Sequence, residues 1–167
     1  MRRWFQAALV LSVLVVAPAA RAGWIIEGSL GKGATVSPSP VRQTQTNLMI
    51  APGVTFLADM LRLQLGVVGD LPDVKASKFD LQLRPMFVVA PPILPIYGRA
   101  IFAVANVFHN NGPKTLFAYG AAAGLKFGLG PVGVFAEAGL LPRSVEVMGV
   151  SKINWVIEGR IGANVTF

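Results

Sequence analysis

The chain has 167 residues, of which 53% are hydrophobic and 14% are charged, and its formal net charge is +7. The length fits one domain, and the charged fraction is well below the roughly 25% of ordinary globular proteins. Cysteine is absent, which excludes a disulfide framework and thiol chemistry. This apolar composition indicates a membrane protein that contains either a membrane helix or a β-barrel.

The N-terminus has the three parts of a secretory signal peptide. Arg2 and Arg3 precede an apolar run, and Ala20-Arg21-Ala22 follows it as a small-residue cleavage site. The run is shorter than the roughly 20 residues that a membrane-spanning helix needs. We therefore expect export by the general secretory route, cleavage after Ala22, and a single mature domain over residues 23–167. The remaining basic residues form no run, so we expect no nucleic-acid partner.

The mature chain contains segments of about ten residues in which apolar and polar side chains alternate. No apolar run after residue 22 reaches 18 residues, whereas a period of two recurs eight times. This is the pattern of a transmembrane β-barrel. We predict strands over residues 24–30, 47–56, 61–69, 79–89, 96–107, 116–127, 132–141 and 154–167.

The connections between these segments alternate in length. Four-residue "LADM" and "GLGP" and six-residue "APPILP" separate longer polar connections such as residues 31–46 and 142–153. Outer-membrane barrels have short periplasmic turns and longer external loops. The alternation predicts an even strand number with both termini on the periplasmic side. Pro52 and Pro85 fall inside predicted strands, so we expect a bulge or a shifted boundary at each.

Aromatic residues recur at both ends of the apolar face. The four strands that run toward the periplasm end on an aromatic residue, and three of them also begin with one. Aromatic girdles of this kind mark the two interfaces of a membrane barrel. The residues concerned are Phe56, Phe87, Phe127 and Phe167 at one end and Phe79, Phe117 and Trp155 at the other.

The opposite face collects the charged residues of the strands. A charge that faces lipid at mid-membrane costs roughly 2–4 kcal/mol for Arg or Lys, so these residues must face the lumen. Eight strands leave an interior just wide enough for side chains, and buried charges persist when they are paired. We predict a filled polar lumen that is held by a salt-bridged plug; the alternative is an ion or proton path, or a gate. Its members are Glu27, Arg62, Asp80, Arg84, Arg99, Lys126, Glu137, Glu158 and Arg160.

The C-terminal segment carries a resemblance to a known family. "VIEGRIGANVTF" ends on Phe167 and places apolar residues at alternate positions before it. It resembles the β-signal of the small eight-stranded outer-membrane barrels of the OmpA/OmpX type, within the outer membrane protein β-barrel, or porin-like, family. The resemblance implies a monomer in the outer membrane of a Gram-negative bacterium, surrounded by lipid and lipopolysaccharide. It also implies that the barrel-assembly machinery reads a signal formed by Trp155, Ile161, Val165 and Phe167.

The sequence contains no recognisable catalytic constellation. Its one histidine, His109, has no serine beside it, and no metal-spaced cluster or phosphate-binding loop is present. We therefore expect no cofactor, no metal and no enzymatic activity. A structural role in envelope integrity, or adhesion to a surface ligand, is the favoured function. The alternatives are a narrow porin-like channel, a lipid-modifying enzyme that uses His109, and a soluble carrier with an apolar interior.

Overall fold

The protein is a closed, eight-stranded antiparallel barrel. The computed structural model describes residues 22–37, 41, 43–71, 81–105, 116–147 and 150–167. Neighbouring strands pair in chain order, and the first strand also pairs with the last. The predicted fold class is confirmed. The strands are β1 (Gly23–Ser37), β2 (Asn47–Phe56), β3 (Leu61–Asp70), β4 (Leu81–Val89), β5 (Ile96–Ala105), β6 (Leu116–Leu129), β7 (Val132–Val147) and β8 (Val150–Thr166).

Several predicted features lie outside these residues. They include the predicted signal peptide before Ala22 and the single histidine, His109. Two residues of the fourth predicted strand, Phe79 and Asp80, also lie outside them. Within the described part of the chain, no helix is long and apolar enough to cross a membrane.

Three strands extend at one end by four residues or more beyond the prediction. β1 continues to Ser37 because residues 32–37 follow β8, although they lie beyond the end of β2. The predicted long loop over residues 142–153 is also wrong, since β7 and β8 pair from Pro142 with Trp155 to Val147 with Val150. The end of β1 is rich in glycine, and the β7–β8 extension contains proline and charged residues. Both compositions are typical of loops. Backbone pairing to β8 nevertheless extends these strands.

The two prolines sit in regular strands without a bulge. Ile50 pairs with Val67 and Gly53 with Gln64 in one register, yet the two residues between them, including Pro52, make no pairs with β3. Pro85 interrupts the β4–β5 ladder in the same way. The expected bulges are therefore absent, because each strand keeps its register and omits the bond for which proline has no N–H.

The outer wall of the barrel is apolar. Large side chains that face outward, such as Trp24, Leu63, Phe87 and Ile161, are between 43% and 68% exposed. Among the described outward-facing strand side chains, Lys32 is the single charged one, and it lies near the end of the barrel away from the chain termini. A continuous exposed apolar surface of this kind requires a nonaqueous environment, which fits the hydrocarbon core of a bilayer.

Aromatic residues mark both ends of this wall. Trp24, Phe56, Phe127 and Phe167 lie at the end of the barrel that holds the termini, whereas Phe87 lies two residues before the end of β4. At the other end Phe102 stacks on Phe117 with ring centroids 6.0 Å apart, and Tyr119 meets Trp155 edge-on at 6.1 Å. The second pair joins β6 to β8 across β7.

We expect Pro52→Val to stabilise the barrel. Valine supplies the N–H that the β2–β3 ladder lacks, and a hydrogen bond contributes about 1 kcal/mol to stability. The measurement is a urea titration of the folded barrel in detergent micelles, followed by tryptophan fluorescence. The control is Leu65→Val, on the strand β3 that lies beside Pro52. It adds no N–H group to the backbone, so it should change stability less. Unfolding of Pro52→Val at a lower urea concentration than the parent would contradict this interpretation of the gap.

Candidate functional site

The inside of the barrel holds one connected network of six charged side chains. All six are at most 8% exposed, and they come from five of the eight strands. Three are acidic and three are basic, so the network is neutral by itself. Its members are Glu27, Arg84, Arg99, Glu137, Glu158 and Arg160.

Arg99 is the centre of the part of the network that lies nearer to the termini. Its Nη1 and Nη2 atoms donate to both carboxylate oxygens of Glu27, at 2.9 and 3.2 Å. Its Nε atom lies 2.9 Å from Oε2 of Glu137, without the angle of a hydrogen bond. Tyr97 donates its hydroxyl to that same Glu137 oxygen at 2.6 Å, and Gln64 donates to Glu27 at 3.3 Å. A bidentate arginine–carboxylate pair therefore joins β5 to β1, on opposite sides of the barrel.

Two aromatic rings also hold the Arg99 guanidinium. Its Cζ atom lies 5.2 Å from the ring centroid of Tyr97 and 5.4 Å from that of Phe135. The rings themselves meet edge-on at 6.0 Å. A planar guanidinium near aromatic rings gains cation–π attraction, which is largest where water is excluded. These contacts fix Arg99 in the middle of the lumen.

The network continues toward the other end of the barrel through Arg160. Its Nε atom lies 3.7 Å from Glu137, and its Nη2 atom donates to Glu158 at 2.6 Å. Arg84 Nη1 donates to the same Glu158 oxygen at 3.4 Å, which joins β4 to β8, another pair of opposite strands. Neutral side chains accept or donate the remaining bonds of this part of the network: Ser29, Asn47 and Gln82.

The backbone leaves room for this packing at Gly31. A Cβ atom there would lie 2.7 Å from Nη2 of Arg160 and 2.9 Å from Oε1 of Glu158. A larger residue there would press against the Arg160–Glu158 ion pair, whose side-chain ends would have to shift.

The lumen is not polar throughout, which corrects the sequence-based expectation. A cluster of buried apolar side chains fills the part of the lumen that the network leaves free. Methionine supplies two of its members, and its flexible side chain fits irregular gaps. Between the charged network and the end that holds the termini, the remaining void is about 10 Å³. The apolar cluster consists of Met49, Ala51, Val68, Met86, Ile101, Ala122 and Leu141.

The structure brings together six of the nine charged residues that were predicted for the lumen. Arg62 and Lys126 also face inward, but they lie at the mouth that holds the termini and outside the network. Asp80 lies outside the described residues. Sequence reasoning considered charges only, so it missed the polar partners Tyr97, Asn47, Gln64 and Gln82. All four occupy positions of the alternating pattern that face inward, and this signal would have identified them.

The network has the geometry of a structural plug. Each charge contacts an opposite charge, and none of the six faces a cavity large enough for a substrate. Within the described part of the chain, no group of three His, Asp or Glu side chains could hold a metal ion.

Comparison with known proteins supports the fold. No family model matches the chain, and no curated protein matches it in sequence. Among solved structures, the chain is similar to Neisserial surface protein A, with a TM-score of 0.53 and 13% identity over 88% of this chain and 99% of that one. It is also similar to the N-terminal barrel of Pseudomonas aeruginosa OprF, with a TM-score of 0.51 and 19% identity over 87% and 99%. The chain has the fold of the small eight-stranded outer-membrane barrels.

We expect Arg99→Met to be strongly destabilising. The substitution strands Glu27 in the interior, and breaking a buried ion pair by removing one partner costs about 3–5 kcal/mol. Urea titration in micelles measures the free energy of unfolding. Lys32→Met, which removes an exposed cation, is the matched control and should change it by less than about 0.5 kcal/mol.

The double variant Arg99→Met with Glu27→Gln tests the cause of that loss. Neutralising the stranded carboxylate should recover part of the stability, so the double variant should be more stable than Arg99→Met alone. Losses that simply add would show that the two residues are not coupled.

Proposed function

We propose that this protein is a non-enzymatic outer-membrane barrel with a closed lumen, which acts in envelope integrity or in contact with a surface ligand. The observation that carries the proposal is the pair of ionic bridges between opposite strands. Arg99 links β5 to Glu27 on β1, and Arg84 links β4 to Glu158 on β8. Beside these bridges, the void between the network and the end that holds the termini is about 10 Å³, which supports a closed lumen.

The apolar outer wall supports placement in the outer membrane. Among the described side chains, charges lie in the lumen and at the barrel ends, and aromatic residues lie at both ends of the apolar wall. Export by the general secretory route, folding by the barrel-assembly machinery and a monomer among lipid and lipopolysaccharide follow from this placement. The N-terminal signal pattern and the C-terminal strand that ends on Phe167 support these steps.

A projecting part of the sheet supports a role in surface contact. β6 pairs with β7 only as far as Leu140, and β7 then pairs with β8 alone up to the Val147–Val150 pair. The end of β1 follows β8 beyond the last residue that pairs with β2. Three strands therefore extend past the others at the end opposite the termini, which is the cell exterior if the termini are periplasmic.

The partners that hold the described lumen side chains support a non-enzymatic role. The buried carboxylates and the buried tyrosine are held by partners inside a filled interior. His109, the residue on which a lipid-modifying reaction would depend, lies outside the described residues. We expect a strain that lacks the protein to keep its lipid A and phospholipid profiles unchanged.

The purified barrel should not conduct ions in planar lipid bilayers. The ionic bridges and the apolar cluster fill the lumen, so a voltage of either sign should give no stable current steps. An open porin in the same bilayer is the positive control. Reproducible ohmic steps from the parent protein would overturn the closed lumen and favour the narrow channel.

An epitope tag between Val147 and Val150 should be labelled on intact cells. The β7–β8 hairpin lies at the end opposite the termini, and the proposed orientation places that end outside. The matched control is the same tag in the turn between β2 and β3, after Asp59. It should be labelled only when the outer membrane has been permeabilised. The reverse pattern would overturn the orientation.

A further inference from the structure

The end of the barrel that holds the termini contains a cup-shaped cavity of about 650 Å³. Three turns enclose it, over residues 57–60, 90–95 and 130–131, together with the ends of β6 and β8. We call this cavity the terminal cup.

The terminal cup is closed toward the lumen. Val88, Ala90, Tyr97 and Phe135 form a buried apolar cluster above it, and the void between the cup and the charged network is about 10 Å³. That volume holds at most about one water molecule. A solute that enters the cup therefore cannot pass through the barrel, and the cup is a binding cavity rather than a channel entrance.

Two cations converge in the terminal cup without carboxylate partners. Arg62 Nε donates to the carbonyl of Asp59 at 3.4 Å, and Lys126 Nζ donates to the carbonyl of Ala90 at 3.0 Å. Each bond uses one donor, so the other N–H groups of both side chains remain for a ligand. Of the described carboxylates, none lies within ion-pair distance of either cation, and Asp59 is the one that lines the cup. The six-membered network above is neutral, and Asp59 offsets one of the two cations, so the described residues leave the cup a surplus of one positive charge.

The rim of the terminal cup is apolar and strongly exposed. Ile93 is 92% exposed and Leu129 is 88% exposed, and Pro92, Leu94 and Pro131 complete the turns between them. Exposed isoleucine and leucine are costly in water but suit contact with acyl chains. Paired cations inside an apolar rim match a ligand with a negatively charged head and an apolar tail.

We propose that the terminal cup binds the phosphate group of an anionic glycerophospholipid, with the acyl chains against the apolar rim. Arg62 and Lys126 donate charge-assisted hydrogen bonds to the phosphate oxygens. Ile93 and Leu129 contact the first methylene groups of the tails. In the orientation proposed above, the terminal cup faces the periplasm, so the lipid would come from the periplasmic leaflet. The epitope tags test that orientation separately. The phosphate site itself does not depend on that orientation.

The experiment is a titration of the folded, full-length barrel in detergent with short-chain phosphatidylglycerol, read by native mass spectrometry. Short-chain phosphatidylcholine, which is zwitterionic, and inorganic phosphate are titrated in parallel. The variants are Arg62→Gln with Lys126→Gln, the rim pair Ile93→Ser with Leu129→Ser, and the matched control Lys32→Gln. Circular dichroism verifies that each variant keeps its β-sheet content.

Phosphatidylglycerol should bind more tightly than phosphatidylcholine or inorganic phosphate. Loss of both cations should weaken its binding by about a hundredfold, whereas Lys32→Gln should leave binding within about twofold of the parent. The rim pair should weaken phosphatidylglycerol and leave inorganic phosphate unchanged. Equal affinity for inorganic phosphate, with no effect of the rim pair, would overturn the lipid assignment in favour of free phosphate. Binding that survives loss of both cations would overturn the site.

Discussion

The rest of this structure depends on the bidentate pair between Arg99 and Glu27. It joins opposite strands through the middle of the lumen, and Glu137 and Arg160 extend it toward Glu158. A buried charge is costly unless it is paired and hydrogen-bonded, so each member of the network requires its neighbours. This mutual requirement fixes the lumen in one arrangement. Among the described outward-facing strand side chains only Lys32, near the end away from the termini, is charged, which suits a lipid-facing wall.

The inward-facing charges are of two kinds, those that are paired within the neutral network and those that lie outside it. Three acids and three bases compensate one another in the interior, whereas Arg62 and Lys126 lie at the mouth that holds the termini, with no carboxylate within ion-pair distance in the described part of the chain. The first group stabilises the fold. The second is accessible from the end that holds the termini and can interact with an external anion. The same alternation in sequence therefore produces a structural plug and a surface for a ligand.

Most of the fold could be predicted from the sequence because apolar and polar residues alternate in the strands of a membrane barrel. The bounds of β2 match the prediction, and the inward parity of Glu27 and Arg160 follows from the alternation alone. The ends of β1, β7 and β8 were missed because pairing to a neighbouring strand, rather than local composition, determines how far they extend. The partners of each charge could not be predicted, since the contact between Arg99 and Glu27 depends on which strands lie opposite when the barrel closes. The uninterrupted register at Pro52 depends in the same way on the neighbouring strands.

The central claim is that the barrel is folded in the outer membrane with its apolar face toward lipid. The most direct test separates outer membranes from periplasm and runs the protein on SDS gels, unheated and boiled. A membrane barrel that resists SDS should be present in the outer-membrane fraction and should change its mobility only on boiling. A soluble periplasmic protein with the same mobility under both conditions would contradict the account, and the apolar wall would then need another partner.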